Sequence, residues 1–280
     1  MEKRVMNIRS MKNFVLGIRS LKNFVLVTRS MKNFVLGTRS LKSRLVAVPF
    51  LAFFAASAYA QGDDDFGIWS EVNVEKKIDS RWSVQGGAEL RTRDNSSELS
   101  RWSLSADASY KMTSWLKLSA GYTLLRDNNE KWNDDHDKLA EYWGTRHRFN
   151  TSLTGSLSIG RLDISLRERW QYTYRPEVTV GRTNVNSGKV KGKTYNGKGK
   201  NVWRNRLMLK YKLTRTFRPY INAESTVARS LEKIRYGVGT EIRLDKHHSF
   251  DAKYIYQRYY DSDADEGNFH VLGVGYTYKF

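Results

Sequence analysis

Arginines recur in the later part of this chain, several at a spacing of two: Arg91, Arg101, Arg146 with Arg148, Arg167 with Arg169, Arg204 with Arg206, then Arg235 and Arg243. A guanidinium is planar and permanently charged. Its donors form a fork that fits the oxygens of a carboxylate or phosphate. Such a group holds anions; it does not exchange protons at neutral pH. A spacing of two places both members of a pair on the same face of a strand. That face also carries Lys117, Lys210, Lys212, Arg218, Lys233 and Lys253, about 19 bases in all. About eight acids share it: Glu71, Glu75, Glu89, Asp107, Asp163, Glu224, Glu241 and Asp251. One sign of charge is in excess, and a wall of one sign concentrates the opposite ion.

Catalytic groups are weaker candidates. Of the five histidines, His147 and His270 lie on strand-like segments with serines nearby, and a Ser–His pair on adjacent strands can cleave esters. Every such segment carries a serine, however, so the pairing has no specificity. No G-x-S-x-G, H-E-x-x-H or phosphate-loop pattern occurs. Asp261, Asp263 and Asp265 resemble the start of a calcium loop, but Glu266 stands where that loop needs Gly and Leu272 where it needs Glu. The expectation is a protein that is not an enzyme and holds no cofactor or metal.

The chain has 280 residues and a formal charge of +19. Residues 1–60 hold 11 Lys and Arg against the single acid Glu2, so about half of the excess sits in a fifth of the chain. Residues 9–42 repeat RS(M/L)KNFVL at ten-residue intervals, with a degraded fourth copy. The apolar run LVAVPFLAFFAA and the small residues Ala58 and Ala60 around Tyr59 follow it. A basic region, a short apolar stretch and an A-x-A site make a secretory signal, with cleavage expected between Ala60 and Gln61. Residues 61–280 form the second domain and hold all eight Trp. Cysteine is absent, which excludes disulfides and thiolate metal sites. Aromatic positions spread along alternating segments also argue against nucleic-acid binding as the purpose of the charge.

Residues 61–280 divide into about eleven segments of 10–13 residues that alternate with period two. Trp82, Val84, Gly86, Ala88 and Leu90 alternate with Ser83, Gln85, Gly87, Glu89 and Arg91. Leu162, Ile164 and Leu166 alternate with Asp163, Ser165 and Arg167. This is the pattern of strands with one apolar and one polar face. Ten residues span a bilayer when tilted, whereas strands of soluble sandwiches are shorter. Lipid offers no hydrogen-bond partner, so a spanning sheet must close on itself. The fold expected is all-β: one transmembrane antiparallel up-and-down barrel of about 10–12 strands. An even number is the bacterial rule, which leaves ten or twelve and makes the segment at Phe66 the odd one.

Short connections fall near Asp79, Thr113, Gly160, residues 214–216 and residues 245–247. Longer ones are expected over residues 127–144, 176–201 and 261–267. Residues 127–141 are acidic, and residues 183–200 hold five Lys and four Gly. The two can fold over one mouth or stay solvated. Short turns on one side and long loops on the other mark outer-membrane barrels.

Four stretches carry a resemblance: FGIWSEVNVEKKIDSRWSVQGGAELRTRDN (66–95), RHRFNTSLTG (146–155), ISLRERWQYTYR (164–175) and NFHVLGVGYTYKF (268–280). On these the chain resembles Bacteroidetes outer-membrane proteins of the domain of unknown function 2490 family. The Arg-lined segments also resemble, more loosely, oligogalacturonate-specific porins. The first resemblance implies a membrane barrel and supplies no activity; the second implies a basic lumen. The terminal run of alternating aromatics ending in Phe280 resembles the signal read by the barrel-assembly machinery. The combined expectation is a porin-like channel in the outer membrane of a Gram-negative bacterium, among lipid and lipopolysaccharide, passing small anionic solutes. Its alternatives are a non-conducting structural barrel and a lipid-modifying enzyme.

Overall fold

The structure is a computed structural model, and it describes residues 64–260 and 268–280. The leader, its repeat and the acidic segment 261–267 lie outside the described residues. Thirteen strands follow one another: β1 Asp65–Lys77, β2 Trp82–Arg93, β3 Glu98–Lys111, β4 Leu116–Trp132, β5 Lys138–Ile159 and β6 Leu162–Arg175 come first. Then come β7 Val178–Asn184, β8 Val190–Tyr195, β9 Lys198–Tyr211, β10 Phe217–Val227, β11 Leu231–Arg243, β12 His248–Tyr259 and β13 Phe269–Lys279.

Eleven of these strands close a ring, because β4 pairs with β5 and β1 with β13, while β6 passes directly to β9. β7 and β8 form a separate hairpin attached to the β5 edge through Lys138↔Asn184 and Leu139↔Thr183. The count overturns the expected choice between ten and twelve. Strands that alternate in direction around a closed ring must be even in number. Eleven closes here because β1 runs parallel to β13, from Asp65↔Phe269 to Glu75↔Lys279. The barrel is therefore antiparallel throughout except at this seam, and the segment at Phe66 is an ordinary wall strand.

Four of the short turns share one device. Asp79 Oδ1 accepts from the N–H groups of Arg81 and Trp82 at 2.6 Å each. Asp245 Oδ1 does the same for His247 and His248 at 2.7 Å. Thr113 Oγ1 serves Trp115 and Leu116, and Thr214 Oγ1 serves Thr216 and Phe217. Each short side chain satisfies donors that the turn leaves free. The β5–β6 connection is tighter and uses Gly160 at φ 59°, a conformation that costs glycine nothing.

At the opposite rim the structure corrects another expectation. Residues 127–144 are not a loop. β4 and β5 run on past the neighbouring strands and stay paired to Trp132↔Leu139. The turn proper is Asn133 to Asp137, pinned by Lys138 N donating to Asn133 Oδ1 at 2.7 Å. The basic stretch 176–201 is likewise largely hairpin, β7–β8. The two extensions touch: Asn184 Nδ2 donates to Asp137 Oδ2 at 3.0 Å, and Tyr195 stacks on Tyr142.

The faces separate as alternation requires. Trp82, Val84, Leu90, Leu104, Leu153, Leu166, Leu207, Ile221 and Val238 are exposed on the outside. The few residues that are buried include Asn73, Asp127, Asn150, Ser152, Gln171, Glu224 and Gln257. A soluble protein reverses this order. An apolar belt outside a polar interior is the organisation of an outer-membrane-type barrel.

Candidate functional site

The interior is the site, and strand register builds it. All ten arginines singled out above stand at inward positions. Arg91 on β2 faces Arg101 on β3. Arg167 and Arg169 on β6 face Arg206 and Arg204 on β9. Arg146 and Arg148 project from β5 beside them, and Arg235 and Arg243 from β11. Eleven strands at about 4.8 Å spacing and a tilt of about 40° put opposite walls about 22 Å apart. Side chains as long as arginine then reach well into the interior and touch the fields of those on nearby strands. Arg148 accordingly feels the charges of Arg91, Arg101 and Arg204 from other strands.

Carboxylates hold part of this layer. Glu224 on β10 is the hub: its Oε2 lies 2.6 Å from Arg167 Nη2, and its Oε1 lies 2.5 Å from Arg204 Nη2 and 3.6 Å from Arg235 Nη1. Arg204 and Arg235 are steadied further by Gln171 and Gln257. Glu89 takes a two-pronged bond from Arg91, at 2.7 and 2.9 Å. Asp127 is shared by Arg101 and by Arg146, whose Nε is 3.1 Å away. Toward the short-turn rim, Glu241 pairs with Lys210 at 2.6 Å and with Arg243.

Three arginines are left over. Arg148, Arg169 and Arg206 form no ion pair among the described residues; Arg169 has a hydrogen bond from its Nε to Ser152 Oγ at 2.8 Å. The Nε atoms of Arg148, Arg167 and Arg206 are buried and donate to no acceptor.

A family model described as "Protein of unknown function (DUF2490)" matches residues 66–268. The chain belongs to this family. No curated protein matches this DUF2490 chain. Among solved structures, the chain is similar to the translocator domain of autotransporter NalP from Neisseria meningitidis, at 13% identity and a TM-score of 0.52, covering 77% of this chain and 91% of that one. It is also similar to the beta domain of the Bordetella autotransporter BrkA, at 12% identity and a TM-score of 0.47, covering 70% of this chain and 79% of that one. At these identities the NalP match speaks for the fold: an outer-membrane-type β-barrel.

Several interior residues of this DUF2490 barrel escaped the sequence reading. Trp69 points inward, with the Arg91 guanidinium 3.7 Å from its ring centre and that of Arg235 at 5.2 Å. Strict alternation places it with Glu71 and Asn73, opposite Phe66 and Ile68, so the signal was present. Asp127 looked like a loop acid and is instead a buried wall residue, 4% exposed. The histidines considered for ester cleavage have tyrosine partners. His147 Nδ1 is 2.8 Å from Tyr122 Oη, and His270 Nδ1 is 2.5 Å from Tyr254 Oη. His270 Nε2 also lies 3.2 Å from Asp64.

Proposed function

We propose that this DUF2490 protein is an outer-membrane barrel of a Gram-negative bacterium whose arginine-lined interior passes small anionic solutes. In this reading residues 1–60 are removed on export, the apolar belt faces lipid and lipopolysaccharide, and the short-turn rim faces the periplasm. Phe280, at that rim and 63% exposed, is then the residue offered to the barrel-assembly machinery. The observation that carries the reading is the surplus of inward arginine over carboxylate, with Arg148, Arg169 and Arg206 outside every ion pair among the described residues. A guanidinium layer in a low-dielectric wall favours anions and repels cations.

A closed structural barrel is the second reading. The three-arginine grip on Glu224 supports it, because bonded side chains that tie four consecutive strands together also brace a wall. Tracer efflux from proteoliposomes separates the two. Chloride leaving faster than rubidium supports anion passage. Efflux of neither ion supports the closed barrel, and faster rubidium contradicts the anion reading.

A further inference from the structure

A further basic cluster stands at the long-loop rim, where β4 and β5 run on past their neighbours. Arg175 and Lys198 are register partners on the last rung of β6 and β9. Arg146 on β5 lies one rung beyond the His147↔Tyr174 pair, level with Arg175. All three stand at inward positions, and Lys131 does so further up β4. Burial and the like charges of Arg175, Arg146 and Lys198 hold the Lys131 ammonium below the usual lysine value. Arg175 and Arg146 also act on Tyr142, whose ring stacks on Tyr195 with centroids 5.6 Å apart. Lys131 Nζ lies 5.0 Å from the centre of the Tyr195 ring. The carboxylates of this rim are engaged elsewhere. Asp127 is held by Arg101 and Arg146, Glu232 by Lys200 at 2.5 Å, and Asp137 by Lys138 at 3.3 Å. Glu130 and Glu141 pair across β4 and β5 on the outward face, and Glu177 is exposed after β6. Lys131, Arg175 and Lys198 form no ion pair among the described residues. Arg175 Nε and the Tyr142 hydroxyl are buried and have no hydrogen-bond partner. Buried donors left so are costly, and more so when charged.

We infer that this vestibule binds the oxyanion headgroup of a solute arriving at the long-loop rim, with Arg175 and Tyr142 as its hydrogen-bond donors and Lys131 and Lys198 as its countercharges. A carboxylate or a phosphate has the chemistry required: charged oxygens that accept from a guanidinium and a phenol together. Chloride offers the charge without that geometry, so it competes weakly. The inference deepens the reading of a barrel that takes anions, but binding at the mouth does not need passage. A barrel that binds here and releases neither ion loses the channel and keeps the site. One that passes chloride and binds nothing here loses the site and keeps the channel.

Acylation of Lys131 by an N-hydroxysuccinimide ester, read by peptide mass spectrometry on the detergent-folded barrel, tests it. Inorganic phosphate and succinate are the probes, with ionic strength held constant by sodium chloride. We expect at least one probe to protect Lys131 saturably, while chloride alone protects little. Lys246, at the opposite rim, should react at the same rate throughout. R175Q should raise the half-protecting concentration at least about tenfold, the loss of one charged hydrogen bond. R175K keeps the charge, loses the fork and should protect nearly as poorly. Y142F should raise it severalfold, and R126Q, on the outward face of β4, should leave it unchanged. Stronger protection by phosphate assigns the phosphoryl class; stronger protection by succinate assigns the carboxylate class. Absence of protection by both probes overturns the inference. Protection that chloride matches, or that R175Q, R175K and Y142F leave intact, overturns it too.

Discussion

Trp69 on β1 lies beside Gly273 on β13 in a pairing of parallel strands, and this relationship fixes the strand number. The seam joins the two ends of the barrel sequence, and both strands run from the long-loop rim to the short-turn rim. The chain carries no cysteine, so a crosslink can report the register directly. V72C with Y276C, which are paired and face outward, should form a disulfide on mild oxidation. V72C with H270C, several rungs away, should not. A barrel that excludes β1 would give no crosslink in either variant.

Glu224 is the best test of the interior network. It is 5% exposed and shared by three arginines. Removing one partner from a buried ion-pair cluster costs about 3–5 kcal/mol, because the remaining charges stay buried. E224Q should lower the urea midpoint of the detergent-folded barrel by a corresponding amount. E98Q, at an exposed pair with Arg93, should move it little.

The turn carboxylates give a pH signature. Backbone donors from Trp82 and Arg81 hold the Asp79 carboxyl below its ordinary value, and those of His248 and His247 do the same for Asp245. An unfolded aspartate titrates near about 3.9. With the folded value lower, the stabilisation is fully present above about that pH and is lost as pH falls through the folded value. Unfolding curves of D79N with D245N should show a shallower acid limb than the native chain. T113A with T214A removes equivalent bonds that do not titrate. It should lower the curve at all pH values without changing its acid slope.

Trp69 ties two of the interior arginines to a ring. Cation–π contacts are worth about 0.5–2 kcal/mol each, depending on desolvation. W69L keeps apolar volume and removes the ring's charge distribution. It should lower the unfolding midpoint modestly and couple to E224Q, since Arg235 lies against both the Trp69 ring and Glu224. A double-mutant cycle measures this.

Much of the barrel was legible in the sequence, for reasons that differ by element. β2 alternates without interruption from Trp82 to Leu90 because one face meets an apolar medium and the other a polar interior. The turns at Asp79, Thr113, Thr214 and Asp245 were visible because a short acceptor must satisfy the turn's donors. The inward arginines followed from spacing alone. The parallel seam was not legible, because alternation reports faces and says nothing about direction. The extension of β4 and β5 was hidden by its polarity: beyond the apolar belt, both faces of Asn128–Trp132 are free to be polar, and a polar strand reads like a loop. Asp127 was misplaced for the same reason. The β7–β8 hairpin is Lys- and Gly-rich with small alternation, and it is held by backbone pairing more than by any buried face.

In the function proposed above, surplus interior arginine makes this barrel favour anions. The most direct measurement is the reversal potential of the reconstituted barrel in a planar bilayer under a potassium chloride gradient. The expected potential lies on the chloride side and moves toward the potassium side when Arg167, Arg169, Arg204 and Arg206 are all changed to Gln. A cation-selective native barrel, or a potential that those four substitutions leave unchanged, would contradict it.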